Sequence, residues 1–310
     1  MAVSVVVPVY NEEENVSILH ERISAAMHSI KKPYEIIMVD DGSRDRTLEV
    51  LCDIQKDDPN LRVVKFRRNF GQSAAMAAGF DAARGDIVVA MDGDLQNDPG
   101  DIPLLLEKMD EGFDVVSGWR KNRKDNMLIR KVPSKIANRL ICSVTGVDLH
   151  DTGCSLKAFR KEIIKRIRLY GELHRFIPAL AKIEGARITE MAVNHHPRIY
   201  GQSKYNITRT FRVIMDLTSL NLFLKYFNNP LQFFGGLGLI LMFIAGIIGM
   251  LTLGFAFTHD NAVSSMNILI TLTFLLVILS FQFIFFGLLA ALIVKTGNKK
   301  SAYLVETLTK

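Results

Sequence analysis

The first 118 residues alternate short apolar runs with longer segments in which apolar residues recur every three or four positions. The short runs predict strands, and the segments between them predict helices. Strands that alternate with helices pair in parallel through right-handed crossovers, so the pattern predicts an open α/β fold with a mostly parallel sheet. The predicted strands are Val3–Pro8, Tyr34–Asp40, Leu61–Lys65, Asp86–Met91 and Asp114–Gly118, and the predicted helices are Glu13–Ile30, Arg46–Asp57, Gln72–Arg84 and Ile102–Glu111.

The last third of the chain consists largely of two apolar runs, residues 231–257 and 266–294. From Leu231 to Val294 the only Asp, Glu, Lys or Arg is Asp260. At about 1.5 Å per residue each run would form a helix of roughly 40 Å, longer than the hydrocarbon core of a bilayer, which is roughly 30 Å thick. The pattern therefore predicts a hairpin of two transmembrane helices. The alternative, two helices buried in a soluble core, would need a much larger protein around them.

Positive charges flank this predicted hairpin on one side. Lys225 precedes the first span, and Lys295, Lys299 and Lys300 follow the second, whereas the polar turn at 258–265 has neither Lys nor Arg. Because cytoplasmic loops carry the excess of Lys and Arg, both flanks are predicted to face the cytoplasm. We therefore expect a multi-pass protein of the cytoplasmic (inner) membrane, with its polar domain and its C-terminus in the cytoplasm.

The segment before the first span shows a third pattern. From residue 205 to 229 apolar residues recur every three or four positions, with Arg209, Arg212 and Asp216 between them. This is typical of amphipathic helices in a membrane interface, and a helix packed on the polar domain is the alternative. The predicted organisation is a cytoplasmic domain at 1–204, interfacial helices at 205–229, the transmembrane hairpin at 230–295 and a cytoplasmic tail at 296–310.

Composition excludes whole classes of protein. Of the 310 residues, 49% are hydrophobic and 23% are charged, which excludes a disordered chain. Three cysteines make no disulfide framework, and this favours a reducing compartment for the polar domain. The first four residues lack a basic segment and lead directly into a predicted strand, so we expect no signal peptide.

Polar clusters follow three of the predicted strands. Tyr10-Asn11-Glu12 follows the first strand, Asp40-Asp41-Gly42-Ser43 ends the second, and Asp92-Gly93-Asp94-Leu95-Gln96 follows the fourth. Ligands of open α/β sheets bind beyond the carboxyl ends of the strands, so the clusters predict one site at one edge of the sheet. The glycine-rich loops of dinucleotide oxidoreductases and P-loop NTPases are absent after the first strand, and the cysteines lack zinc spacing.

The third cluster offers only hard oxygen ligands. Asp92 and Asp94 stand two residues apart after an apolar strand, with the amide of Gln96 beyond them. Such a set suits Mg²⁺ or Mn²⁺ held partly by substrate phosphates, and the metal would neutralise a diphosphate leaving group. Most D-x-D pairs are solvated loop acids, which is the alternative for this one.

A second group of candidates is basic. Arg and Lys near a membrane surface hold phosphate, Arg through paired hydrogen bonds. For Lys121, Arg123 and Lys124, general attraction to anionic lipid is the favoured interpretation. The cluster lacks interleaved aromatic residues, so we expect no nucleic acid partner. The candidate phosphate-binding residues are Arg120, Arg130, Ser134, Arg198 and Lys204.

Together these motifs resemble a known family. Val7–Glu12, Val39–Ser43 and Asp92–Gln96 are similar to the signature of family 2 glycosyltransferases with the GT-A fold. The resemblance continues through Asn69–Gln72 and Asp151–Cys154 to Arg198–Lys204, and so covers about residues 3–204. With the C-terminal hairpin added, the chain resembles the polyprenyl-phosphate branch, which includes dolichol-phosphate mannose synthases and bactoprenol glucosyltransferases.

The resemblance implies roles for individual residues. Those expected to line the nucleotide pocket are Pro8, Tyr10, Glu12, Asp40 and Asp41. Asp92 is expected to contact ribose or metal, and Asp94 and Gln96 to bind the metal. Asp151 stands where many members keep a catalytic base, or it orients the sugar or a basic side chain. The residues expected to hold the acceptor phosphate are Arg120, Arg130 and Ser134, with Arg198 and Lys204 approaching the donor phosphates or the acceptor.

The resemblance also implies a reaction. We expect inverting, metal-dependent transfer of one hexose, glucose from UDP-glucose, to undecaprenyl phosphate, with GDP-mannose or a UDP-aminopentose as alternative donors. One rival is transfer to a protein-bound or polysaccharide acceptor. Another is a non-catalytic sugar-nucleotide-binding component that assembles with a flippase. Glycines in the first apolar run permit close helix contacts within one chain or in a homo-oligomer.

Overall fold

The computed structural model describes residues 2–121, 146–197 except for 148, 170 and 172, 229–258 and 263–297. The described residues fall into two compact units, one built from the N-terminal ranges and one from the two C-terminal ranges. The predicted domain boundary at 204 and the predicted interfacial helices lie outside the described residues, apart from Asn229, and remain predictions.

The N-terminal unit is built on one seven-stranded sheet in the order β3-β2-β1-β4-β6-β5-β7. Strand β1 pairs in parallel with β2 and β4, β2 with β3, and β5 with β7. Strand β6 is antiparallel to both of its neighbours, β4 and β5. The strands are β1 Val3–Val9, β2 Tyr34–Asp40, β3 Leu61–Lys65, β4 Ile87–Ala90, β5 Val115–Trp119, β6 Lys157–Arg160 and β7 Ile188–Ala192.

Helices cover both faces of this sheet. Because side chains alternate along a strand, Val5 and Val7 of β1 pack beneath α1, α2 and α4, whereas Val6 packs beneath α3, α5 and α6. All three valines are fully buried, and each such burial stabilises the fold by about 1.5–3 kcal/mol. The helices are α1 Val16–Ile30, α2 Thr47–Asp57, α3 Gln72–Ala82, α4 Ile102–Asp110, α5 Lys161–Ile164 and α6 Ile177–Ile183, with 3-10 turns at Pro99–Asp101 and Leu173–Phe176.

The five predicted strands and four predicted helices are all present, with small differences at their ends. Helix α1 begins at Val16 instead of Glu13, since the preceding residues are held in a loop by hydrogen bonds to the chain after β2. Strands β6 and β7 were not predicted. Strand β6 has only four residues and includes a buried lysine, and β7 is only half-buried, so neither shows a clear apolar alternation.

The C-terminal unit is a pair of long helices, α7 Pro230–Thr258 and α8 Val263–Gly297. Each contains a stretch long and apolar enough to cross a membrane, and only 11% of the most apolar window of each is buried. The helices pack through small residues: Ser280 Oγ donates a hydrogen bond of 2.8 Å to the carbonyl oxygen of Gly238. A Cβ added to Gly238 would lie 2.9 Å from the Ser280 carbonyl oxygen, so only glycine allows this approach.

Candidate active site

The three polar clusters lie side by side, because β2, β1 and β4 are neighbours in the sheet and run parallel. The amide of Asp41 donates to the carbonyl oxygen of Val9 at 2.9 Å, which joins the end of β2 to the end of β1. On the other side, a Cβ added to Gly93 would lie 2.9 Å from Cγ1 of Val9, so glycine lets the loop after β4 pack against β1. The predicted common edge is therefore present.

Two buried aspartates shape the loop after β2. Asp40 Oδ1 accepts a hydrogen bond from the Ser43 amide at 3.1 Å and closes the turn. Asp41 accepts from the amides of Phe70 and Gly71 at 2.7 and 2.9 Å, one on each carboxylate oxygen. Gly42, at φ 69°, completes this contact, because a Cβ there would lie 2.5 Å from the Arg68 backbone.

The loop after β1 is fastened to the loop after β2. Asn11 adopts the left-handed region at φ 54°, and its backbone N–H donates to Ser43 Oγ at 2.9 Å. The Glu12 amide donates to Thr47 Oγ1 at 2.8 Å, and its carboxylate accepts from the side-chain amide of Asn15. Pro8 and Tyr10 lie half-buried on either side of Val9 at the same edge. The five residues expected in a nucleotide pocket therefore share one rim.

The acid pair follows β4. Asp92 Oδ1 accepts a hydrogen bond of 2.6 Å from Gln72 Nε2, and Asp94 Oδ1 accepts one of 3.2 Å from the backbone N–H of Gln96. Leu95, between Asp94 and Gln96, is buried and adopts the left-handed region at φ 58°, a strained conformation for a bulky residue of the kind found at functional sites. Burial, together with the charge of Asp94, raises the pKa of Asp92.

This arrangement fits a divalent cation. Asp92 and Asp94 are half-buried and repel each other, and a bound cation would neutralise this repulsion. Their carboxylate oxygens are the ligands that Mg²⁺ and Mn²⁺ prefer. In the part of the chain that the structure describes, no three His, Cys, Asp or Glu side chains gather as ligands. Asp92 and Asp94 by themselves leave coordination positions for substrate phosphates, as is usual at Mg²⁺ sites.

A largely buried ion pair lies at the end of β5. Arg120 binds Asp151 through two parallel hydrogen bonds, 2.7 Å from Nε and 3.0 Å from a terminal nitrogen, and the side chains are 13% and 14% exposed. Burial acts to raise the pKa of Asp151, but the hydrogen bonds and the charge of Arg120, together with the charge of Lys157, outweigh this and hold the pKa below its ordinary value. The other predicted phosphate-binding residues, Arg130, Ser134, Arg198 and Lys204, lie outside the described residues.

Beneath this pair lies a lysine that sequence reasoning missed. Lys157 on β6 is buried, and its ammonium donates to the carbonyl oxygens of Thr152 and Cys154, in the turn that follows Asp151. Burial lowers the pKa of Lys157. A lysine inside the short apolar run from Leu156 to Phe159 was the available signal. Its contacts fix the turn that presents Asp151 to Arg120.

Comparison with known proteins places this site in a family. Residues 4–168 match the sequence model of glycosyl transferase family 2. The chain belongs to glycosyl transferase family 2. The predicted family and its GT-A fold are therefore confirmed, as is the sheet followed by two apolar helices.

Two relatives match this family 2 chain over nearly its whole length. The dodecaprenyl-phosphate galacturonate synthase of Rhizobium johnstonii is 48% identical over 97% of this chain and 90% of its own length. The undecaprenyl-phosphate 4-deoxy-4-formamido-L-arabinose transferase of Pectobacterium atrosepticum is 37% identical over 93% of this chain and 86% of its own length.

A solved structure shows the same fold. Glucosyl-3-phosphoglycerate synthase from Mycobacterium tuberculosis, in complex with Mn²⁺ and uridine-diphosphate-glucose, superposes with a TM-score of 0.54 at 19% identity. The match covers 71% of this chain and 78% of that protein. At this identity the likeness supports the fold of the family 2 chain.

Proposed function

We propose that this family 2 glycosyltransferase moves one sugar from a nucleotide diphosphate donor to a polyprenyl phosphate, with inversion at the anomeric carbon. The decisive observation is that two carboxylates and a guanidinium follow two strands of one sheet. The Asp92 and Asp94 carboxylates follow β4, and the Arg120–Asp151 pair follows β5, with only β6 between the two strands. Carboxylates suit a metal-bound leaving group, and a guanidinium suits an attacking phosphate. The names of the two relatives support the lipid acceptor.

On the donor side, the rim at the ends of β1 and β2 would receive the nucleotide. The residues lining it would be Pro8, Tyr10, Glu12, Asp40 and Asp41. Asp41 would act largely through the loop it holds, because both of its oxygens already accept backbone hydrogen bonds. Asp92, Asp94 and Gln96 would hold Mg²⁺ or Mn²⁺, which would neutralise the charge of the departing diphosphate.

On the acceptor side, Arg120 would bind the lipid phosphate and direct its oxygen at the anomeric carbon, so that catalysis comes from positioning. Asp151 would orient Arg120 instead of acting as a base. Both of its oxygens are engaged by the guanidinium, and its lowered pKa makes it a poor proton acceptor. A phosphate acceptor is already anionic and needs no base. Arg130, Ser134, Arg198 and Lys204 remain proposed partners of the two phosphate groups.

The relatives shift the proposed sugar away from glucose. The names of both designate acidic or formamido sugars, galacturonate and 4-deoxy-4-formamido-L-arabinose. The relative named for galacturonate is the more similar of the two over the greater share of the chain, and we therefore propose a UDP-linked galacturonate donor. UDP-glucose, GDP-mannose and a UDP-aminopentose are the competing donors.

We place the reaction at the cytoplasmic face of the inner membrane. A polyprenyl acceptor keeps its tail in the bilayer, so an enzyme anchored by α7 and α8 would meet the phosphate at the surface. The lysines that flank the two spans support this orientation.

A transfer assay tests the proposal. Purified full-length protein, undecaprenyl phosphate and Mg²⁺ would be mixed with radiolabelled UDP-galacturonate, UDP-4-deoxy-4-formamido-arabinose, UDP-glucose or GDP-mannose, and label counted in the organic phase. We expect label from UDP-galacturonate, lost with a chelator. Label confined to water-soluble product would contradict the lipid acceptor, and label from another donor alone would replace the sugar.

A substitution in the acid pair tests the metal assignment in the same assay. Replacing Asp94 by Asn removes one charge that would face the metal, and we expect the transfer rate to fall by about 1,000-fold or more, since metal stabilisation is worth several kcal/mol. Asp53→Asn, at an exposed position on α2, should transfer at the wild-type rate. Full activity of Asp94→Asn in membranes that contain normal amounts of the protein would disprove the metal assignment.

A further inference from the structure

The carboxylate of Asp92 accepts a hydrogen bond from a neutral side chain. Gln72 Nε2 donates to Oδ1 at 2.6 Å. Because a carboxylate has about four acceptor sites, this bond orients the group and leaves acceptor capacity for a cation.

Gln72 is itself anchored on both flanks. The two residues before it, Phe70 and Gly71, donate their amides to Asp41, and the residue after it, Ser73, bonds His174 Nδ1 through its hydroxyl at 2.8 Å. Segment 70–73 thus reaches from the aspartate after β2 to the aspartate after β4 and passes the end of β1, which lies between those strands. A glutamine placed this way has little freedom to release Asp92.

We propose that Gln72 is a positioning residue for the metal site and links it to the nucleotide pocket through segment 70–73. Gln72 holds Asp92 in the orientation that a divalent cation needs, against the repulsion from Asp94. Asp41, at the nucleotide rim, holds the backbone that carries Gln72. This inference rests on the metal-dependent donor binding proposed above. Loss of such an outer partner typically weakens metal binding 10- to 100-fold.

Mn²⁺ affinity tests the inference without any catalytic readout. Full-length Gln72→Leu keeps the size of the side chain but cannot donate, and Gln72→Asn keeps an amide that is too short to reach. The matched control is Gln55→Leu. Gln55 lies on α2, and its side-chain amide donates to the Leu61 carbonyl oxygen at 3.2 Å, at the end of the strands opposite to the metal site. Free Mn²⁺ would be measured by electron paramagnetic resonance in the presence of UDP.

We expect both Gln72 variants to bind Mn²⁺ in the UDP complex about 10- to 100-fold more weakly, and Gln55→Leu to match the wild type. At saturating Mn²⁺ the Gln72 variants should bind UDP as the wild type does, which would show that they are folded. Wild-type Mn²⁺ affinity in both Gln72 variants would overturn this inference alone. Absence of Mn²⁺-dependent UDP binding in the wild type would overturn both this inference and the proposed donor chemistry.

Discussion

The sheet unit and the helix pair use side-chain size in opposite ways. In the sheet unit the largest buried side chains are those such as Phe159 and Phe176, as in any water-soluble core. Among the described residues of the helix pair, those buried after Pro230 at the start of α7 are small or polar, namely Gly238, Ala245, Thr252, Ser280 and Gly287. The large side chains of the same helices face outward, with Phe243 72% and Met250 77% exposed.

The difference reflects the solvent for which each unit is built. In water, burying apolar surface stabilises a fold by about 25 cal/mol per Å², so large side chains go inside. Between helices in lipid this force is absent, because the lipid tails are as apolar as leucine, and close packing with interhelical hydrogen bonds takes its place. Glycine and serine therefore form the contact between these helices, whereas phenylalanine and isoleucine fill the core of the sheet unit.

Equal truncations in the two units give the sharpest test of this contrast. Phe159 is fully buried and its ring contacts that of Phe80 at 6.0 Å between centroids, so Phe159→Ala should destabilise the sheet unit by about 3–5 kcal/mol. Phe243→Ala should change stability by no more than about 0.5 kcal/mol. Denaturant unfolding followed by the fluorescence of Trp119, the single tryptophan, measures the first, and energy transfer between labels on α7 and α8 measures the second. Equal losses would break the comparison.

The Arg120–Asp151 ion pair adds a pH-dependent effect to the sheet unit. Asp151→Asn leaves Arg120 without its buried partner and should cost about 3–5 kcal/mol at neutral pH. The folded pKa of Asp151 lies below its unfolded pKa of about 3.9. Its contribution is therefore complete above the unfolded pKa and is lost as the pH falls through the folded pKa.

The gap in unfolding free energy between the wild type and Asp151→Asn should thus be constant above about pH 3.9 and narrow as the pH falls from there to pH 2. The matched control is Asp53→Asn, which breaks an exposed pair with Lys56 and should follow the wild type throughout. A constant gap between Asp151→Asn and the wild type at every pH would refute the role of the ionised pair.

The smallest expected effect comes from adding bulk to the helix pair. Gly238→Val places a Cβ 2.7 Å from Ile284 Cγ1 and should weaken helix packing by about 1–3 kcal/mol. Gly246→Val is the matched control, because, apart from the adjoining part of its own helix, no atom of the described residues lies within 4 Å of a Cβ built there. Ser280→Ala should cost about 0.6 kcal/mol through its lost interhelical bond. Energy transfer between the helices in detergent measures all three, and equal effects of the two valines would contradict the packing.

Much of the site could be predicted from the sequence, because parallel strands bring their carboxyl ends to one edge. The adjacency of Asp40, Asp92 and the loop after Val9 followed from that rule. The partners of these residues could not be predicted. Gln72 and Asp92 are 20 positions apart and Arg120 and Asp151 are 31 apart, and no local pattern encodes such pairs.

By itself the sequence determined the alternation of strands and helices, the two apolar spans and the polar rim, since all three follow from local periodicity and charge. Only the tertiary structure decided that β6 inserts antiparallel between β4 and β5 and so buries Lys157 beneath the ion pair. It also decided that Gly238, not Gly246, meets the neighbouring helix. These choices depend on which distant surfaces fit together, and that fit is set by three-dimensional packing and long-range hydrogen bonding.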